Sequence, residues 1–152
     1  MFGKIAVALD GSECAKRAFE IAIELAKVEG AEVGICSVVD PALIVGTTPP
    51  SPAVDIVVRD AEREARKLVS DAVKRVRAQS LSALGETRSG VAAYEILDFA
   101  KKFGADLIVM GTHGRTGFGH FLMGSVAEIV LKKAPVPVMV VREAHAGPSA
   151  QE

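Results

Sequence analysis

The sequence predicts an α/β domain: an open, doubly wound sheet of five parallel strands in the order 3-2-1-4-5, with helices on both faces. Three observations carry the prediction. Short runs of aliphatic and β-branched residues alternate with longer stretches in which apolar residues recur at helical spacing, as βα units with right-handed crossovers require. Apolar residues make up 49% of the chain and aromatic ones only 5%, with no Trp, a balance suited to strands buried on both faces. A glycine-rich segment near residue 111 also falls between an apolar run and a helical pattern, where such a sheet presents its strand ends.

The elements follow in order. Lys4 to Leu9 is a short apolar strand ending at Asp10-Gly11-Ser12, and Ser12-Glu13 begins a helix. Its stripe is Ala15, Ala18, Phe19, Ala22, Leu25 and Ala26, and Glu29-Gly30 stops it. Val33 to Val39 is a second buried strand. Asp40 to Asp55 contains Pro41, Pro49, Pro50 and Pro52, a density that predicts a long loop, either a mobile flap beside a ligand or plain disorder. From about Ile56 to Gln79 an amphipathic helix buries Val58, Ala61, Ala65, Leu68, Val69, Ala72, Val73 and Val76, with Glu62–Arg66 and Asp71–Arg75 at pairing distance on its solvated face. Ala83 to Ser89 is the weakest strand, expected at an edge. Ser89-Gly90 opens a helix carrying Ala93, Ile96, Leu97, Ala100 and Phe103, closed by Gly104. Asp106 to Met110 is the fourth strand, and a helix ending at Lys132-Lys133 leads to the last strand, Val136 to Val141. Residues 1–142 form one domain, and the small, polar stretch 143–152 is a tail expected to be disordered.

The chemistry concentrates at Gly111-Thr112-His113-Gly114-Arg115, followed by Gly124-Ser125 in the pattern Gly-x2-Gly-x9-Gly-Ser. Glycines allow close backbone approach to a ligand, and the N–H groups of a helix's first turn attract anions. The pattern therefore predicts a phosphate site, with Ser125 either capping the helix or donating its hydroxyl to the phosphate. It is not a P-loop, because no Gly-Lys-Ser/Thr follows, and it lacks the Gly-x-Gly-x-x-Gly of a dinucleotide fold. If the first and fourth strands are neighbours, Asp10 lies at the same sheet edge as Gly111. Asp10 is either a cleft residue or a helix cap. Arg115, the loop's only cation, either pairs with a phosphate oxygen or is solvated.

Other classes recede. Lys plus Arg (18) nearly balances Asp plus Glu (19), which speaks against a nucleic-acid partner. His113, His120 and His145 have no carboxylate or cysteine at ligand spacing, so a metal site is not expected, and His120 to Met123 is expected to pack over the cleft. Cys14 and Cys36 have neither CxxC nor metal spacing and are expected as buried, reduced, inert thiols of a cytoplasmic protein. Neither a signal-peptide core nor an apolar run of membrane-spanning length is present.

With these residues placed, the chain from Lys4 to Val141 resembles the universal stress proteins of the ATP-binding type. The resemblance rests on Asp10-Gly11-Ser12, Val38-Val39-Asp40, the Gly111 to Arg115 loop, Gly124-Ser125-Val126 and Pro135-Val136-Pro137-Val138. It implies that Asp10 contacts the ribose or frames the adenine pocket, that Val38 meets adenine through its backbone, and that Met110 and Gly111 line the ribose side. His113, Gly114, Gly124, Ser125 and Val126 would hold the phosphates, and Ala8 stands where some relatives carry proline. The implied ligand is ATP, with Mg2+ or Mn2+ held by the phosphates and not by a protein cage.

The same resemblance implies a nucleotide-dependent regulatory module with slow or no hydrolysis. The alternative is a genuine ATPase or nucleotidyl-transfer enzyme. Phosphoryl transfer needs positioned water and concentrated positive charge, and only His113, Asp10 and Arg115 are available for either. An apolar last strand at a sheet edge invites pairing with a second chain, so a homodimer through Val136 to Val141 is expected, as the family implies.

Overall fold

The computed structural model describes residues 1–113 and 123–143. Its elements are β1 (Lys4–Ala8), α1 (Glu13–Glu29), β2 (Glu32–Val39), α2 (Pro41–Val45), α3 (Pro52–Arg77), β3 (Ala83–Ser89), α4 (Ala92–Phe103), β4 (Leu107–Gly111), α5 (Ser125–Lys133) and β5 (Val138–Val141). The five strands form one sheet in the order β3-β2-β1-β4-β5. Every pairing is parallel, from Lys4↔Glu32 and Ile5↔Leu107 at the centre to Val33↔Ala83 and Gly111↔Val141 at the two sides. The winding direction reverses between β1 and β4, the switch point at whose carboxyl ends sheets of this kind hold ligands.

The sheet is buried on both faces, which explains its uninterrupted apolar strands. On one face Ile5, Val7, Val33, Ile35 and Val109 pack against α1 and α3. On the other, Ala6, Cys36, Ile108 and Met110 pack against α4 and α5. Strand pleating makes this division, since successive side chains point to opposite faces. Most of the expected α1 stripe is fully buried, Leu25 being only partly covered. Gly30 and Gly104 end α1 and α4 in the left-handed conformation (φ 69° and 75°), where a Cβ would be strained.

The sequence expectation fails in the 40–55 segment, which is not one long loop. Pro41 and Pro52 each stand in the first turn of a helix, where proline's missing N–H has no partner to lose. Asp40 caps α2 by accepting from the amides of Ala42 and Leu43, and Ser51 caps α3 by accepting from Val54. Thus α3 begins at Pro52, four residues before Ile56, and ends at Arg77. The anticipated Glu62–Arg66 and Asp71–Arg75 pairs give way to Arg63–Asp60, Lys67–Asp71 and, between helices, Arg75–Glu20.

Smaller boundaries also move, the fourth strand from Asp106–Met110 to Leu107–Gly111, which takes in Gly111, and the first two strands by one residue each. The helix expected to open at Ser89-Gly90 starts at Ala92 with Val91 at its N-cap, while Ser89 completes β3. The last strand begins at Val138, since Pro137 offers only its carbonyl, which accepts from Ile108. The weak β3 is held to α4 by Arg88, which bonds Glu86, Glu95 and Asp98 at 3.0, 3.3 and 2.5 Å and lies over the Phe99 ring.

Candidate functional site

The carboxyl ends of β1, β2 and β4 bring the separated sequence signals together. Ala8 ends β1 and Val38 lies one residue before the end of β2, both partly buried. Asp10 follows β1 in the turn into α1. Its Oδ1 accepts the Ser12 amide at 2.8 Å, while Ser12 itself caps α1 by accepting from Ala15. The capping alternative for Asp10 therefore belongs to Ser12, and Asp10 shapes the turn that leads to it. Met110 is 4% exposed and packs in the α4–α5 core.

The glycines have a physical role the sequence did not reveal. A Cβ at Gly111 would lie 2.5 Å from Cys14 Sγ and 3.0 Å from the Ala15 nitrogen. A Cβ at Gly124 would lie 3.0 Å from the Thr112 carbonyl oxygen and 3.2 Å from His113 Cα. Both glycines thus let chain segments approach one another: α1 against the end of β4, and the start of α5 against the same strand end.

Three hydrogen bonds fasten this junction. The Thr112 amide donates to the Val141 carbonyl at 2.9 Å, the Gly124 amide donates to the Thr112 carbonyl at 2.7 Å, and the Cys14 thiol donates to the His113 carbonyl at 2.6 Å. Cys14 and Cys36 are free and buried, as expected, but Cys14 supports the loop base directly. Burial pushes the Cys36 thiol up to about 12, which keeps it protonated.

The start of α5 faces this junction. Gly124 is its N-cap and makes no side-chain cap hydrogen bond, so Ser125 occupies the first helical position and does not cap the helix. The amides of the following first-turn residues have no carbonyl four residues back within the helix, and the helix dipole adds partial positive charge there. Beside them are two buried polar side-chain atoms, Thr112 Oγ1 and His113 Nδ1, with no hydrogen-bond partner among the described residues. Such groups are rare because desolvation without a partner is unfavourable by about 1–3 kcal/mol each. Thr112 is 7% exposed, and its place between the pattern's fixed glycines gives no sign of this role in the sequence.

Gly114, Arg115, His120 and the rest of the 114–122 segment lie outside the described residues, as do His145 and the rest of the 144–152 tail. Ser125 and Val126 begin α5, Ser125 exposed and Val126 partly buried. Among the described residues no three His, Cys, Asp or Glu side chains come together as a metal set, and no helix is long and apolar enough to cross a membrane.

Fold and site together define a doubly wound α/β protein whose switch point between β1 and β4 adjoins a helix start with no side-chain cap bond from its Gly124 N-cap. The universal stress protein family model matches residues 1–142. Universal stress protein MJ0531 of Methanocaldococcus jannaschii is 38% identical over 143 residues, covering 94% of this chain and 84% of that protein. The solved structure of MJ0577 from the same organism superposes with a TM-score of 0.83 at 27% identity, covering 96% of this chain and 99% of that one. A structure of the universal stress protein from Archaeoglobus fulgidus in complex with dAMP superposes with a TM-score of 0.62 at 27% identity, covering 91% and 97%. The chain belongs to the universal stress protein family.

Proposed function

We propose that the protein binds ATP at the switch point between β1 and β4 and acts as a nucleotide-dependent regulatory module of the stress response. The observation that carries this reading is the junction of β4 with α5. A helix N-terminus with no side-chain cap bond from its N-cap stands beside two buried polar atoms that have no partner among the described residues; the free first-turn amides and the Thr112 hydroxyl are donors suited to phosphate oxygens. The dAMP complex of the Archaeoglobus fulgidus relative supports an adenine nucleotide as the ligand class.

In this reading His113, Gly124, Ser125 and Val126 hold the phosphates, chiefly through backbone amides, with Gly114 and Arg115 completing the loop. Thr112 Oγ1 joins them. Ala8 and Val38 border the adenine, and Asp10, Met110 and Gly111 border the ribose. Mg2+ or Mn2+ is carried by the phosphates themselves. Hydrolysis is slow or absent, because Asp10 and His113 are the only groups proposed for positioning water and Arg115 is the only added cation. Two buried free thiols support a reducing compartment such as the cytoplasm.

A homodimer through the last strand belongs to the same proposal. β5 pairs only with β4 among the described residues, and Val138, Met139 and Val140 are partly exposed. Light scattering at micromolar concentration showing only monomer would remove this part.

Calorimetric titration of nucleotide-stripped protein with Mg-ATP, run beside Mg-GTP, tests the ligand. Saturable binding of one ATP per chain, with GTP much weaker, is expected. Absence of binding by the folded protein would overturn the proposal.

A further inference from the structure

The far side of the sheet carries a second feature, distinct from the proposed nucleotide site. β3 is an edge strand paired only with β2 among the described residues, and α3 runs alongside it. Between them is an open groove of about 430 Å³, with Val69 and Val73 on its floor and Arg66, Ser70, Lys74, Arg77 and Thr87 around it.

The hydrogen-bond phase of β3 fixes what the groove exposes. The Ser82 carbonyl accepts from Val33, and the Gly90 amide donates to Val39. Even-numbered residues of β3 therefore direct their peptide groups toward β2. By the alternation of a parallel ladder, Ala83, Gly85, Thr87 and Ser89 direct theirs outward. The Ala83 carbonyl obeys this phase, accepting from Arg77 at 2.9 Å outside the ladder. Next to it, Gly85 has no side chain to screen its backbone, and its missing Cβ leaves room for Val69 and Val73, which would stand 2.5 and 2.6 Å from one.

From this geometry we infer that the α3–β3 groove accepts an extended acidic peptide segment of a partner protein as a sixth strand of the sheet. Main-chain pairing to Gly85 and Thr87 supplies the docking, and the charged wall of α3 supplies the selectivity. Charge complementarity selects an acidic segment. No carboxylate lines the groove. The ion pairs within α3 are made by Arg63 and Lys67, and Arg75 reaches α1, so Arg66 and Lys74 remain without an acidic partner among the described residues. A second copy of this chain is disfavoured, because two such basic edges would repel. The added strand would point alternate side chains to the α3 face, toward Arg66 and Lys74, and the others to the opposite face beside exposed Leu84. Acidic residues alternating with β-branched apolar ones match both faces.

The test uses the full chain and a pool of fluorescein-labelled eight-residue peptides in which Glu or Asp alternates with Val, Ile or Thr. Saturable anisotropy is expected for the acidic pool and none for the same pool with Lys in place of the acids. Arg66→Glu with Lys74→Glu should weaken binding at least tenfold. Thr87→Pro removes one outward amide without breaking a β2–β3 bond and should also weaken binding at least tenfold, with an unchanged far-ultraviolet spectrum and no loss of ATP binding. Amide resonances of Gly85 and Thr87 should shift on addition of the acidic peptide. The inference is overturned if no acidic peptide saturates the wild type. It is equally overturned if Thr87→Pro binds as the wild type does, or if inorganic tripolyphosphate displaces the peptide at equal concentration, since either result marks a simple anion site.

Discussion

Ser125→Asp separates anion binding from helix stability, because the two respond with opposite sign. Ser125 is exposed at the first position of α5, after an N-cap that contributes no side-chain bond. A carboxylate there meets the positive end of the helix dipole and stabilises the folded protein by about 0.3–1 kcal/mol. For a chain of this length that raises Tm by roughly 1–4 °C. Phosphate held at α5, as proposed, experiences the reverse. A charge-assisted hydrogen bond from the hydroxyl is lost, about 1.5–3 kcal/mol. A new negative charge about 4 Å from a phosphate oxygen adds repulsion of about 1–4 kcal/mol, from water-like to surface-like screening. The sum, about 2.5–7 kcal/mol, weakens ATP binding by roughly 10²- to 10⁵-fold. Calorimetry gives the affinity and a thermal melt without nucleotide gives the stability. A variant that melts higher and still binds ATP like the wild type would refute the placement of phosphate at α5.

Other expectations follow from single contacts. Gly111→Ala places a methyl 2.5 Å from Cys14 Sγ and should destabilise by about 1–3 kcal/mol in urea unfolding. Adding Cys14→Ala should recover part of that loss, and a stability equal to wild type in the single variant would contradict the packing. The Asp98 carboxyl is held below its ordinary value by hydrogen bonds from Arg88 and then Lys102. Its folded value lies below the unfolded one, so its stabilisation is present above about pH 4 and fades as pH falls further. Asp98→Asn should therefore flatten the acid limb of stability against pH, and an unchanged limb would show that the Arg88 cluster contributes nothing there. At pH 8 iodoacetamide should leave buried Cys14 and Cys36 unmodified in the native protein and label both in guanidinium. Rapid native labelling of either would contradict its burial.

The sheet was legible because burial on both faces imposes continuous aliphatic runs, and Val33 to Val39 could hardly be anything but a central strand. Even the weak β3 was placed, as the polar composition of Ala83 to Ser89 suits an edge. The 40–55 segment is misleading in sequence because proline's effect depends on its position and not on its number. A proline preceded by Asp40 or Ser51 marks a helix start as readily as a loop.

The candidate site was half legible. The glycine spacing located the strand-to-helix junction, but the reason for Gly111 and Gly124 could not be read there. Their demand comes from Cys14, Thr112 and His113, which only the folded chain brings against them. Thr112 stands at a variable position of the glycine pattern and Cys14 reads from sequence only as an inert buried thiol; each gains its role from where the backbone places it. Ser125 offered two roles in sequence, and the N-cap at Gly124 excludes one.

Two-dimensional amide spectra of ¹⁵N-labelled protein titrated with Mg-ATP give the most direct test of the proposed nucleotide site. Saturating shifts should be largest at Ser125, Val126 and Ala127, with further shifts at Thr112 and in the His113 ring nitrogens, and little change along β3. Shifts that leave the start of α5 untouched while ATP binds elsewhere would contradict the phosphate site.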